Sequence, residues 1–105
     1  MAEAAAKGKK QCTAIVSYQV KYEDIETFLD AWEQANNFLK KQPGHVSNTL
    51  HRAISANPPF RFVNVAKWKT VNDFRRATQS TGFQEAAGRL NPYPVYASAY
   101  ETVTT

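Results

Sequence analysis

The stretch "FRFVNVAKWKTVNDF", Phe60 to Phe74, decides how the rest of the chain is read. Its first ten residues are rich in aromatic and β-branched side chains, which suit a pleated, half-buried strand. Side chains alternate across a strand. Phe60, Phe62, Asn64, Ala66 and Trp68 therefore share one face, and Arg61, Val63, Val65 and Lys67 the other. A strand that only builds a core has no use for an amide at its centre, whereas one lining a pocket does. The period then changes. Thr70 is an N-cap, Asp73 gives a weaker form of the capping box, and Val71, Phe74, Ala77 and Thr78 follow a helical repeat over residues 70–80.

Working outward, "SANPPF" before the strand is a turn, because Pro58 and Pro59 fit neither a helix interior nor a central strand. "HVSNTLHRAI", residues 45–54, reads as a second strand that pairs with the third as an antiparallel hairpin. Upstream, residues 23–42 form the clearest helix. Ile25, Phe28, Leu29, Trp32, Asn36 and Leu39 make one stripe, acids open it, lysines close it, and Pro43–Gly44 stops it. "TAIVSYQVK", residues 13–21, is the first strand, with Ala14, Val16, Tyr18 and Val20 on one face and Thr13, Ile15, Ser17 and Gln19 on the other. Downstream, Thr81–Gly82 breaks the second helix, residues 83–90 continue it briefly, and "NPYP" turns into a last strand from Val95.

The order β-α-β-β-α-β predicts an α+β, ferredoxin-like domain: one antiparallel sheet with two helices on one face. The other face stays bare and carries Ile15, Val63 and Val65. Soluble monomers rarely leave such a patch wet, so a homodimer through the open sheet face is expected, with a two-fold interface.

Composition agrees with one globular domain. The chain has 105 residues, 43% hydrophobic and 21% charged. Residues 1–10 read as a flexible tail and 11–105 as the folded domain. The net charge is +4, and the tail, with Lys7, Lys9 and Lys10 against Glu3, carries half of it. The remaining bases are scattered, which argues against nucleic acid as a partner. No apolar run reaches membrane-spanning length and no secretory signal is seen, so a cytoplasmic protein without membrane contact is expected. Cys12 is the lone cysteine, a small apolar strand residue that leaves no disulfide and no cysteine metal cluster. Gly-rich phosphate loops, metal-ligand spacings and a serine-nucleophile elbow are missing from the sequence.

"PGHVSNTLHRA", "FRFVNVAKWKTVNDF" and "STGFQEAA", in that order, resemble the antibiotic biosynthesis monooxygenase (ABM) family of dimeric α/β barrels. The most specific parts are the Pro-Gly before the second strand, "LHR" on it, and the aromatic W-K-x-x-x-x-F joining strand to helix. The resemblance spans about residues 13–103. It implies a ferredoxin-like dimer and, in some branches, oxygenation of phenols and quinols without a cofactor. Other branches degrade heme. For those the resemblance implies a Trp at Trp68, a His at or beside Ala87 and an Asn on the first strand. Only the Trp is present: no His follows His51, and the first-strand candidates are Gln11, Cys12 and Thr13. Heme is therefore disfavoured, and no cofactor is expected.

The candidate site follows. Asn64 and Trp68 would face the helices, opposite Trp32 and Asn36 on the first helix, around a flat aromatic ligand. Phe62, Phe83 and Tyr18 are further candidates for binding it, with Tyr96 and Tyr100 as possible lining. His45 and His51 are the imidazoles able to act as a general base near neutral pH, and His51 joins Asn64 and Trp68 as the catalytic expectation. Arg75 and Arg76 read as the solvated face of the second helix. The bland reading of the same residues is a core containing two tryptophans, or a dimer that binds a small aromatic or heme and turns nothing over.

Overall fold

The computed structural model describes residues 10–105. The expected tail lies, except for Lys10, outside them. Lys10 itself is tied in: its carbonyl accepts from the Val71 N–H at 3.0 Å, and its ammonium pairs with Glu101 at 2.8 Å.

Four strands, β1 (Cys12–Tyr18), β2 (His45–Arg52), β3 (Phe62–Trp68) and β4 (Val95–Tyr100), form one antiparallel sheet in the order β2-β3-β1-β4. Helix α1 (Ile25–Leu39) joins β1 to β2 after a 3-10 turn, Tyr22–Asp24. Helices α2 (Val71–Thr78) and α3 (Thr81–Ala86), with a 3-10 turn at Gly88–Leu90, join β3 to β4. This is the expected ferredoxin-like α+β arrangement.

Element ends differ from the sequence reading for identifiable reasons. β1 stops at Tyr18, beyond which Gln19 donates to the Pro94 carbonyl. β3 begins at Phe62, because Arg61 is held outside it, its N–H on the Tyr18 carbonyl and its Nε on the Val20 carbonyl. Phe60 consequently leaves the strand face assigned to it and packs edge-on against Tyr96. The break in the second helix falls at Gln79–Ser80 rather than Thr81–Gly82. There the Ser80 hydroxyl accepts from the Phe83 N–H and starts a new helix. The Thr70 cap is as expected, its hydroxyl accepting from the Asp73 N–H at 3.0 Å.

The core is divided. One cluster holds Tyr18, Phe28, Ala31, Ala35, Phe62 and Leu90, the other Cys12, Ala14, Ala66, Trp68 and Ala77. The buried centre of α1 is Phe28, Ala31 and Ala35, two of them alanines that a search for bulky stripe residues passes over. On β3 the two clusters are separated by Asn64, the one buried polar residue among those described. Asn64 pairs with Val16 on one side and Leu50 on the other. On the opposite surface Ile15 pairs with Val65, and Ser17 with Val63, so these apolar side chains do share the face that no helix covers.

Gly44 fixes where β2 starts. Its φ of 91° lies in the left-handed region, and a Cβ there would meet the Asp73 carboxylate group. Its carbonyl accepts from the Lys69 N–H at 2.7 Å, docking the Pro-Gly turn onto the β3–α2 junction. Asp73 is itself fixed, since the Thr70 hydroxyl and then the Arg76 guanidinium hold its carboxyl below the usual carboxylate range. Gly44→Ala combines backbone strain with a clash and is expected to cost about 2–3 kcal/mol, read from the urea midpoint.

Candidate active site

Where the two core clusters part, a cavity of about 420 Å³ opens between the sheet and the helices. Its floor is the middle of the sheet: Val16, Asn64 and Ala97, with Ala14 and Ala66 beside them. Alternation explains this floor, because these residues all fall on the helix-facing side of their strands. Small side chains leave space that larger aliphatics would fill.

Most of the predicted residues meet here. Asn64 and Trp68 line the cavity from β3, Trp32 and Asn36 from α1, Phe83 from α3 and Tyr18 from β1. Trp68 is 1% exposed, and its indole packs edge-on to His45 and Phe74, at centroid distances of 5.2 and 5.8 Å. Phe62 is not part of the lining. It stacks on Phe28 at 4.8 Å inside the first core cluster. Tyr96 and Tyr100 are on the open face with Ser98, since Val95, Ala97 and Ala99 take the helix-facing side of β4.

His51 is not brought to the cavity. It pairs with Val63 on the open surface, as Thr49 and Ser47 pair with Val65 and Lys67. The imidazole at the cavity belongs to His45, and a β-bulge puts it there. The register passes from His45↔Trp68 directly to Ser47↔Lys67, leaving Val46 as the extra residue. One extra residue reverses which face a side chain takes. Without the bulge His45 would share the open face with Ser47 and His51. With it, His45 Nε2 lies 3.0 Å from Asn48 Oδ1, and Asn48 Nδ2 donates to Asn64 Oδ1 at 3.1 Å.

Arg75 is exposed, as expected for the solvated face of the second helix, and it also reaches this site. It lines the cavity, while Arg76 pairs with Asp73 on the outer face of α2. Thr78, Gln79, Asn91 and Tyr93 complete the polar edge. Among the described residues no Asp or Glu lines this cavity, so it carries no negative side chain, and Arg75 lies on its wall. Tyr18 stays a neutral donor across the ordinary pH range, because burial pushes its phenol up from 10.0 to about 12. Burial likewise pushes the Cys12 thiol up, with Arg75 partly offsetting it, which suits an inert core thiol.

The Tyr18 shift has a measurable consequence. Between pH 10 and 12 the unfolded chain ionises this phenol before the folded one does, so the folded state binds more protons and stability falls with rising pH. The loss is expected to be about 2 kcal/mol at pH 12 and to level off above it at the equivalent of two pKa units, about 3 kcal/mol. Tyr18→Phe should flatten that limb of a stability–pH curve.

Ala87, where the heme-degrading pattern implies histidine, is buried and lines the cavity, and a methyl group cannot ligate iron. Among the described residues no cluster of His, Cys, Asp and Glu could hold a metal ion, and no helix is long and apolar enough to cross a membrane.

A sheet roofed by helices over a largely apolar cavity, with amides and two indoles at its walls, is suited to enclosing a small flat molecule. The antibiotic biosynthesis monooxygenase family model matches residues 12–89, and the chain belongs to that family. Among solved structures it is similar to a candidate monooxygenase from Shewanella loihica PV-4, with 27% identity, 91% of this chain and 97% of that one covered, and a TM-score of 0.80. It is also similar to a mutant of SnoaB, a cofactor-independent oxygenase from Streptomyces nogalater, with 25% identity, coverage of 91% and 96%, and a TM-score of 0.76. A dimeric protein of unknown function with a ferredoxin-like fold, from Bacteroides fragilis NCTC 9343, shares the fold at 11% identity, coverage of 88% and 96%, and a TM-score of 0.70. A search of curated proteins finds no match.

Proposed function

We propose that the chain is the protomer of a homodimeric monooxygenase that oxidises a small aromatic phenol or quinol in this cavity without a cofactor. The observation that carries the reading is Asn64, a buried amide set in the floor of a largely apolar cavity and accompanied by the Trp68 and Trp32 rings. Flat rings pack against the indoles, and the amide orients an oxygen of the substrate. Arg75 and the lack of acidic lining residues among those described favour the ionised phenol, which is the electron-rich form that reacts with dioxygen. The likeness to SnoaB supports the cofactor-free chemistry.

The reaction balances on substrate and dioxygen alone. A quinol loses two protons and four electrons overall. One oxygen atom forms a new C–O bond on the ring, the O–O bond breaks, and the other atom leaves as water with those protons. A hydroxyquinone remains. His51 has no part in this within its own subunit. It belongs with Ile15, Val63 and Val65 to the face that would meet the partner copy, a reading supported by the dimeric Bacteroides neighbour.

Purified protein in chelator-treated buffer, given 1,4-dihydroxynaphthalene, is expected to consume one O₂ per quinol above the autoxidation rate and to place one ¹⁸O atom from ¹⁸O₂ in the product. Uptake no faster than autoxidation would overturn the oxygenase and favour a dimer that binds aromatics without turnover.

A further inference from the structure

We infer that His45 and Asn48 are positioning residues that fix the direction of the Asn64 amide, so that the cavity selects ligands presenting an acceptor oxygen, an ionised phenol or a carbonyl, over a neutral hydroxyl. This rests on the proposed function only in requiring that a phenol binds.

The argument follows the polarity of three side chains. An amide oxygen can only accept and an amide nitrogen can only donate. Asn48 Oδ1 faces His45 Nε2 at 3.0 Å, a hydrogen bond in the tautomer that carries the ring proton on Nε2. Asn48 must then turn its Nδ2 the other way, and it donates to Asn64 Oδ1 at 3.1 Å. Asn64 has its acceptor engaged, and no hydrogen bond to its Nδ2 is found among the described residues. Since no buried side-chain polar atom lacks a partner, that nitrogen is not sealed off, and it lies on a residue of the cavity wall. The free end of the chain is a donor.

Such a row reverses only as a whole, with the His45 proton moved from Nε2 to Nδ1, because reversing one member alone sets donor against donor or acceptor against acceptor. The bulge at Val46 supplies the member at the far end, by carrying His45 to the cavity side. The edge-on packing of His45 against Trp68 holds the ring in place. Hydrogen bonds to charged groups are worth more than neutral ones by enough to give about a tenfold preference for the ionised form of a phenol.

The probe is 4-nitrophenol, whose ionised form is yellow and which needs no turnover. The wild-type dimer is expected to bind the ionised form about tenfold more tightly than the neutral form, so that bound dye turns yellow at lower pH than free dye. His45→Phe keeps an aromatic ring against Trp68 but removes the donor. Asn48→Leu removes the link. Both leave Arg75 in place, and both are expected to reduce the preference at least threefold. Asn48→Asp can only accept, so it draws Asn64 Nδ2 towards itself, turns Oδ1 to the cavity and reverses the preference.

In the wild type, the Asn64 side-chain amide signals, identified by their loss in Asn64→Asp, should shift when 4-nitrophenolate is added. This readout does not depend on the folding of His45→Phe or Asn48→Leu. Equal binding of the two dye forms by the wild type, no binding at all, unmoved Asn64 amide signals, or an unchanged preference in folded His45→Phe and Asn48→Leu would each overturn the inference. Failure of oxygen uptake with the dye preference intact would remove the oxygenase reading and leave this one standing.

Discussion

Asn64→Leu is expected to lower kcat/KM for a quinol by about 10²–10³-fold, the range seen when one preorganised donor to a developing oxyanion is removed. Leucine is close in shape, and the site is 7% exposed, so the strand should persist. The change is not free of structural effect. Asn48 Nδ2 loses its acceptor at Asn64 Oδ1, and since Asn48 is only half-buried the cost falls at the low end of the range for an unpaired polar group, about 1 kcal/mol. Steady-state kinetics alongside a thermal melt separates the two consequences. A folded variant within threefold of wild type would remove Asn64 from the chemistry and return it to a structural role.

Trp68→Ala is expected to have the largest effect on stability, about 3–5 kcal/mol, as for other buried aromatic truncations. Trp68 pairs with Cys12 across one side of β3 and with His45 across the other, and it is one of the two largest fully buried side chains. Removing it opens the second core cluster and frees both His45 and Phe74, whose rings rest on it. In a domain whose total stability is of the order of 5–15 kcal/mol, this leaves a protein near its unfolding threshold. Trp68→Phe keeps most of the packing and isolates the wall from the core. A urea midpoint for Trp68→Ala within 1 kcal/mol of wild type would mean that the indole is a ligand contact and not a core element.

Both variants lie on the stretch from which the fold could be read, and the contrast between what was legible and what was not is instructive. Period two through Phe62–Trp68 and the helical repeat after Thr70 survive in the structure, because each reports a local backbone geometry with one face buried. Asn64 and Trp68 were visible for the same reason. His45 is a candidate base in the sequence, but its place at the cavity is not legible there, because counting alternation back from Leu50 puts it on the wrong face, and the single bulged residue that corrects the count has no signature of its own in "HVSN". Asn48 was missed along with it. Arg75 is exposed, as its charge predicts, but its reach to the cavity beside the inward Phe74 has no signal in the sequence. Phe62 erred the other way. It has the right face for the cavity, but Phe28 covers it, and which of several inward rings is capped is decided by tertiary packing.

The alanines along the cavity wall bear on how this molecule would respond to selection. Ala14, Ala35, Ala66, Ala87 and Ala97 keep open a hollow that neighbouring side chains do not fill. Such a gap forfeits cohesive contact that a tightly filled interior would gain. Under pressure for heat resistance alone, valine or leucine at these positions offers the shortest route to a firmer protein, and each such step closes the room in which a guest molecule sits. Hardiness and catalysis should therefore trade against each other at these five methyl groups.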